Sequence, residues 1–349
     1  MKPIMRALGS AVFASATAVA VVCASGAANS DIDTGSTSGS GMVSAASDAI
    51  GEGPEMTSYL AAFGYGLSHP DAAPAGSNNW NCKPSAEHSR PVVLVHGTWL
   101  NVYDSYAYLS PRIARAGFCV FAFNFGRETV LNGGGFGTIL PGRYGVGPME
   151  DSARQLAQFV DRVREATGAP EVDIVAHSQG GPVASQYLKF EGGQGKVRKV
   201  ITFGATNHGT TLLGIAALGR AINNVGLDIL GLYQPLIGQS NTQQVVGSPF
   251  YARLNADGDT VPGVEYTVVG TTHDEISNPY DWTFLRPGPD ATVDNITLQQ
   301  DCEQDLSDHL TMMYSPRAAS IMLRALDPAA YPNLECTMNP WIIGGGGHF

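Results

Sequence analysis

The stretch Val172-Asp-Ile-Val-Ala-His-Ser-Gln-Gly-Gly181 decides how the rest of the chain is read. Residues 172–176 form a short apolar run of the kind that makes a buried strand, and residues 180–190 read as a helix. Ser178 sits on the junction. A serine on a sharp strand-to-helix turn needs small residues two places before and after it, because the turn brings neighbouring backbone close. Ala176 and Gly180 meet that need. Such a turn exposes the serine Oγ at the C-terminal end of a sheet. It also directs a helix N-terminus toward any negative charge that develops there. Ser178 is therefore the candidate nucleophile.

The same alternation extends outward. Residues 91–96, 118–125, 199–203 and 264–269 are further apolar runs of strand length, and residues 150–167 carry a helical apolar stripe at Ala153, Leu156, Ala157, Val160 and Val163. Residues 313–326 read as a last helix, ended by Asp327-Pro328. Strands alternating with helices predict an α/β domain with a mostly parallel central sheet flanked by helices.

A serine nucleophile needs a base, and the base needs an orienting acid. On this kind of elbow the chain order is serine, acid, histidine. Four histidines follow Ser178: His208, His273, His309 and His348. Asp274 lies in the loop just past the strand at 264–269, with Glu275 as runner-up. His309, in Leu306-Ser-Asp-His-Leu310, stands just before the last helix. Asp308 cannot easily turn to grip its own neighbour's ring. Two backbone N–H groups are needed for an oxyanion hole. Gln179 follows the nucleophile, and Thr98 follows Gly97 in the loop after the first strand, with its hydroxyl as a candidate third donor. His96 is expected to shape that loop locally. Neither a metal nor an organic cofactor is required by these groups.

Composition narrows the class. The chain has 349 residues, 20 Lys+Arg against 31 Asp+Glu, and a net charge of −11. That balance argues against nucleic acid as a partner, since phosphate binding needs a basic face. Hydrophobic residues at 44% against 15% charged supply a large core and exclude wholesale disorder. Lys2 and Arg6 precede an apolar stretch running from Ala11 to Val22, followed by small residues at Ala24 to Ala28. This predicts a secretory signal peptide over residues 1–28. Its removal also removes Cys23, so five cysteines become Cys82, Cys119, Cys302 and Cys336. An even count in an exported chain suggests two disulfides, with three pairings open. A Cys/His zinc pattern is absent.

Residues 29–74, rich in Ser, Gly and Ala, are expected to be a flexible leader, residues 75–338 the catalytic domain, and residues 339–349 a glycine-rich tail. The apolar segment within 211–250 is either a cap or lid that meets substrate, or ordinary core helices broken by glycines. Trp99, Trp282 and Phe284 are candidate liners of an acyl groove.

Taken together, His96-Gly97, Ala176-His-Ser-Gln-Gly180, Thr272-His-Asp-Glu275 and Ser307-Asp-His309 resemble the secreted bacterial class 2 triacylglycerol lipases of the α/β-hydrolase superfamily. The elbow is also similar to that of the small Bacillus lipases. The resemblance covers roughly residues 75 to 336. It implies an α/β-hydrolase fold and ester hydrolysis through an acyl-enzyme, with Ser178, Asp274 and His309 in the three roles. It also implies the local pairing Cys82–Cys119 and Cys302–Cys336. The expected partner is an ester or lipid substrate, met by a monomer with transient contact to a lipid interface. A polyesterase, an acyltransferase or a non-catalytic extracellular binding module are the alternatives on the same fold.

Overall fold

The computed structural model describes residues 50–211, 238–341, 343 and 344. All of them belong to one unit spanning Gly41–Phe349. The expected signal peptide, the leader before residue 50, most of the expected cap and the end of the tail lie outside the described residues.

Among the described residues six strands form one sheet: β1 Val92–Val95, β2 Val120–Ala122, β3 Val172–His177, β4 Val197–Phe203, β5 Glu265–Gly270 and β6 Thr292–Thr297. Their order is β2-β1-β3-β4-β5-β6, and every pairing is parallel. Among the described residues the helices are α1 Tyr59–Ser68, α2 Val102–Tyr106, α3 Leu109–Arg115, α4 Met149–Thr167, α5 Gly180–Phe190, α6 Gln239–Gln243, α7 Pro249–Leu254 and α8 Pro316–Leu326. This is the parallel α/β architecture that the alternating pattern predicts.

The central strands are apolar throughout because both faces of the sheet are covered. Side chains alternate across a strand, so β1 feeds two layers. Val92 and Leu94 pack with Tyr103, Leu109 and Met322, whereas Val93 and Val95 pack with Leu156, Val160 and Val183. The stripe on α4 buries Ala153, Leu156, Val160 and Val163, and Gly168 closes the helix in the left-handed conformation. β6 escapes the sequence pattern because it is an edge strand; Ile296 is its one buried residue.

Three expectations change. The last helix begins at Pro316, not at 313. Proline disfavours helical geometry at the preceding residue, and Ser315 is extended, with its hydroxyl capping the Ala318 N–H. The expected leader does not run to residue 74. Helix α1 lies inside it and buries Tyr59 and Ala62 in the core, and Tyr103 Oη donates to the Pro54 carbonyl. Residues 238–250 of the expected cap belong to the body of the domain: Ser240 N donates to Val146 O, and Gln243 Nε2 donates to Glu150.

Both disulfides join the locally paired cysteines, Cys82–Cys119 and Cys302–Cys336, with sequence separations of 37 and 34. The second encloses the segment that carries His309. Among the described residues, no helix is long and apolar enough to cross a membrane.

Candidate active site

Ser178 occupies the turn between β3 and α5 with φ of +53°, a conformation that L side chains rarely adopt. Two bonds hold it there. Ser178 N donates to Phe203 O at 2.9 Å, and Gly181 N donates to Ser178 O at 3.0 Å. The turn brings α5 against β1, so a Cβ at Gly180 would lie 2.4 Å from the Val95 carbonyl oxygen. Only glycine fits. Gly97 is constrained from the other side: a Cβ there would lie 2.9 Å from the Ser178 Cβ. Ala176, two residues before the serine, is fully buried.

Asp274 and His309 are brought together from loops 35 residues apart. His309 Nδ1 donates to Asp274 at 2.9 Å from Oδ2 and 3.0 Å from Oδ1. The carboxylate is itself fixed, because Oδ1 accepts the N–H groups of Ile276 at 2.9 Å and Ser277 at 2.6 Å. Burial alone lowers the His309 pKa. The Asp274 carboxylate, through charge and hydrogen bond, outweighs this with help from Glu275 and Asp308, and the net pKa lies above the ordinary imidazole value. Glu275 accepts the His309 backbone N–H at 3.3 Å, so the runner-up acid holds the loop and Asp274 holds the ring. Asp308 turns back on its own loop and accepts from Leu310 N, Thr311 N and Thr311 Oγ1.

The oxyanion candidates are equally constrained. Gln179 caps the start of α5, next to Ser178. Neither its backbone N–H nor that of Thr98 has a hydrogen-bond acceptor among the described residues. His96 shapes the Thr98 loop as expected. Its Nε2 accepts the Phe125 N–H at 3.2 Å, which leaves the proton on Nδ1 for donation to Gly97 O at 2.8 Å. That carbonyl belongs to the peptide whose N–H is Thr98's. In a trans peptide the two groups point in opposite directions, so the His96 bond turns the Thr98 N–H away from the ring. Burial pushes the His96 pKa down to about 3, which keeps this tautomer neutral.

Ser178, His309 and Thr98 line one cavity of about 330 Å³. Its walls come mostly from residues that sequence patterns did not single out: Tyr59 and Phe63 of α1, Leu100, Leu140, Arg143, Gln244, Ile276 and Leu310. The buried Arg143 braces the Thr98 loop, donating Nη1 to Trp99 O at 2.9 Å while Nη2 lies 2.8 Å from Asp104. No motif signals Arg143, because its role exists only once residues 99, 104 and 143 meet. Of the three aromatics proposed for an acyl groove, Trp99 lines this cavity. Trp282 and Phe284 do not; they line a separate cleft with His208 and Asp259.

The other histidines fall outside the cavity. His208 is held by Trp282 O and Asp259. His273 is exposed, and His348 lies outside the described residues. The tail is not idle at its start. Asn339 donates to Ser307 Oγ and Thr311 O, and its carbonyl accepts the Leu306 N–H, so it braces the His309 loop. Among the described residues no group of His, Cys, Asp or Glu side chains is arranged to hold a metal ion.

The profile of the alpha/beta hydrolase fold matches residues 90–226. Among solved structures, Aspergillus fumigatus lipase B superposes with a TM-score of 0.54 at 19% identity, over 73% of this chain and 55% of that one. This chain thus spans little more than half of the fungal lipase's length. Bacillus licheniformis lipase BlEst2 in its mature form matches with a TM-score of 0.46 at 16% identity, over 70% of this chain and 94% of that one. Bacillus subtilis carboxylesterase CesB matches with a TM-score of 0.39 at 14% identity, over 71% and 86% of the two chains. The family profile and the six-stranded parallel sheet place the chain in the α/β-hydrolase fold.

Proposed function

We propose that this α/β-hydrolase domain is a secreted serine ester hydrolase, a lipase or carboxylesterase that cleaves acylglycerols or related esters through an acyl-enzyme. One observation carries the reading: His309, held by the buried Asp274, and Ser178 on its strained turn line the same largely apolar cavity. In this reaction His309 Nε2 takes the proton of Ser178 Oγ as it attacks the ester carbonyl. Asp274 keeps the Nδ1 proton in place and stabilises the imidazolium. The N–H groups of Thr98 and Gln179 receive the oxyanion. His309 then protonates the leaving alcohol, and water, activated by the same base, releases the acid.

The apolar walls from Tyr59, Phe63, Leu140 and Leu310 favour an acyl group over a charged one, because transferring apolar surface out of water is favourable. Export is supported by two disulfides, which persist in oxidising compartments. The test is hydrolysis of p-nitrophenyl butyrate and palmitate by the wild type and by Ser178→Ala. Loss of both activities in the variant, with loss of covalent labelling by an alkyl phosphonate, is the expected result. Full activity in Ser178→Ala would sink the proposal. Export is tested separately by the mass of protein recovered from culture medium, which should begin near residue 28.

A further inference from the structure

Thr98 is held by more than its loop. Its Oγ1 accepts a hydrogen bond from Gln244 Nε2 at 2.8 Å. Gln244 Oε1 in turn accepts the Thr206 hydroxyl at 2.9 Å. Thr206 and Gln244 are both buried, so water does not readily replace either partner. The Gln244 backbone is anchored at both ends, with N donating to Ser240 O and O accepting from Thr210 N, each at 2.9 Å. In this arrangement the hydrogen bonds run in one direction, from the Thr206 hydroxyl to Gln244 Oε1 and from Gln244 Nε2 to Thr98 Oγ1.

That polarity has a consequence for the last member. A hydroxyl has one proton to donate. With a lone pair of Thr98 Oγ1 occupied by Gln244, the proton is left for another acceptor, and none is found among the described residues. Thr98, Gln244, Ser178 and His309 line the same cavity. We propose that Gln244 is a positioning residue, which keeps the Thr98 hydroxyl poised as a third donor to the oxyanion. The inference rests on the ester-hydrolase reading above. It assigns α6 and the residue after it, remote in sequence from the elbow, a part in the stabilisation of the tetrahedral intermediate.

The test inverts the polarity without changing the shape. In Gln244→Glu a carboxylate faces Thr98 and accepts its proton, which removes the third donor. The kcat for p-nitrophenyl butyrate should fall about 10²-fold with KM little changed, the usual size for one lost oxyanion donor. Thr98→Val should lose a similar amount, and Thr98→Ser, which keeps the hydroxyl, should recover most of it. The double variant Thr98→Val with Gln244→Glu should be no worse than Thr98→Val alone, because both substitutions remove the same bond. Rates are taken per phosphonate-titrated site, so misfolded protein does not count. A Gln244→Glu enzyme that keeps more than half of the wild-type kcat, or a double variant whose losses multiply, overturns the relay. Ser178→Ala separates this from failure of the parent reading. If Ser178→Ala is inactive and Gln244→Glu is fully active, only the relay fails; if Ser178→Ala is active, the ester-hydrolase reading fails.

Discussion

His177, the residue before Ser178, donates its Nε2 proton to the backbone carbonyl of His309 across 2.8 Å. The bond ties the elbow to the loop of the candidate base over 132 residues of sequence. Burial, reinforced by the nearby His309, pushes the His177 pKa down to about 3, so the ring stays a neutral donor. Its Nδ1 has no partner among the described residues, so the bond to His309 is the ring's single polar anchor. The Asp274 contact orients the His309 ring, whereas the His177 contact fixes the backbone that carries it.

Replacing His177 by Phe keeps a ring in the site and deletes that bond. The orphaned His309 carbonyl should cost about 1–3 kcal/mol of stability. The kcat should fall by about an order of magnitude, since small misplacements of a catalytic group are expensive. Urea unfolding and steady-state kinetics measure the two effects separately. A kcat within twofold of wild type would show that Glu275 and Asp308 hold the loop unaided.

His309 must be neutral to take a proton from Ser178. Because its pKa lies above the ordinary imidazole value, the acid limb of kcat/KM should fall above pH 6.5. Asp274→Asn should move that limb downward, since the leading stabiliser of the imidazolium is gone. It should also cut kcat by about 10⁴-fold through the wrong tautomer. A pH–rate profile of both proteins decides this. An unmoved limb in the variant would assign the raised pKa to other groups.

His208 is a second histidine whose environment favours the charged form. Its Nε2 faces Asp259 at 3.1 Å and its Nδ1 faces the Trp282 carbonyl at 2.7 Å, so both nitrogens meet acceptors. The hydrogen bond to Asp259 outweighs burial and raises its pKa above the ordinary value. A raised folded-state pKa contributes stability that is fully present below the unfolded pKa and is lost as pH rises through the folded value. His208→Gln should therefore lower Tm more at pH 5.5 than at pH 9. Equal Tm losses at the two pH values would contradict it.

Removing either disulfide should lower stability by roughly 3–4 kcal/mol on the chain-entropy model, since the two loops are of similar length. Activity should separate them. Cys302→Ser with Cys336→Ser loosens the segment that carries His309 and should reduce kcat. Cys82→Ser with Cys119→Ser removes the bond that anchors the start of β2 and should leave kcat near wild type at temperatures below its melting transition. Comparing kcat with Tm for the two double variants tests the distinction.

The core strands were legible because a sheet covered on both faces demands unbroken apolar runs, and 172–176 and 91–96 supply them. The elbow was legible because its sterics demand small residues at fixed offsets from Ser178. Elements without such a demand were hidden. β6 is polar because it lies at an edge. α1 was masked by its position within a Ser/Gly-rich stretch and by the absence of charged residues that would give it an amphipathic contrast.

By itself the sequence determined the strand–turn–helix around Ser178, the parallel α/β order, and the candidates Asp274 and His309, because each is constrained by residues close to it in the chain. Only the tertiary structure decided which groups hold those candidates: His177 on His309, His96 behind Thr98, Gln244 on the Thr98 hydroxyl, Arg143 under Trp99, and Tyr59 and Phe63 in the cavity wall. These are hydrogen bonds and packing contacts between distant segments. Their partners are selected by how the layers close on the sheet, and a single sequence carries no local period or spacing that records that choice.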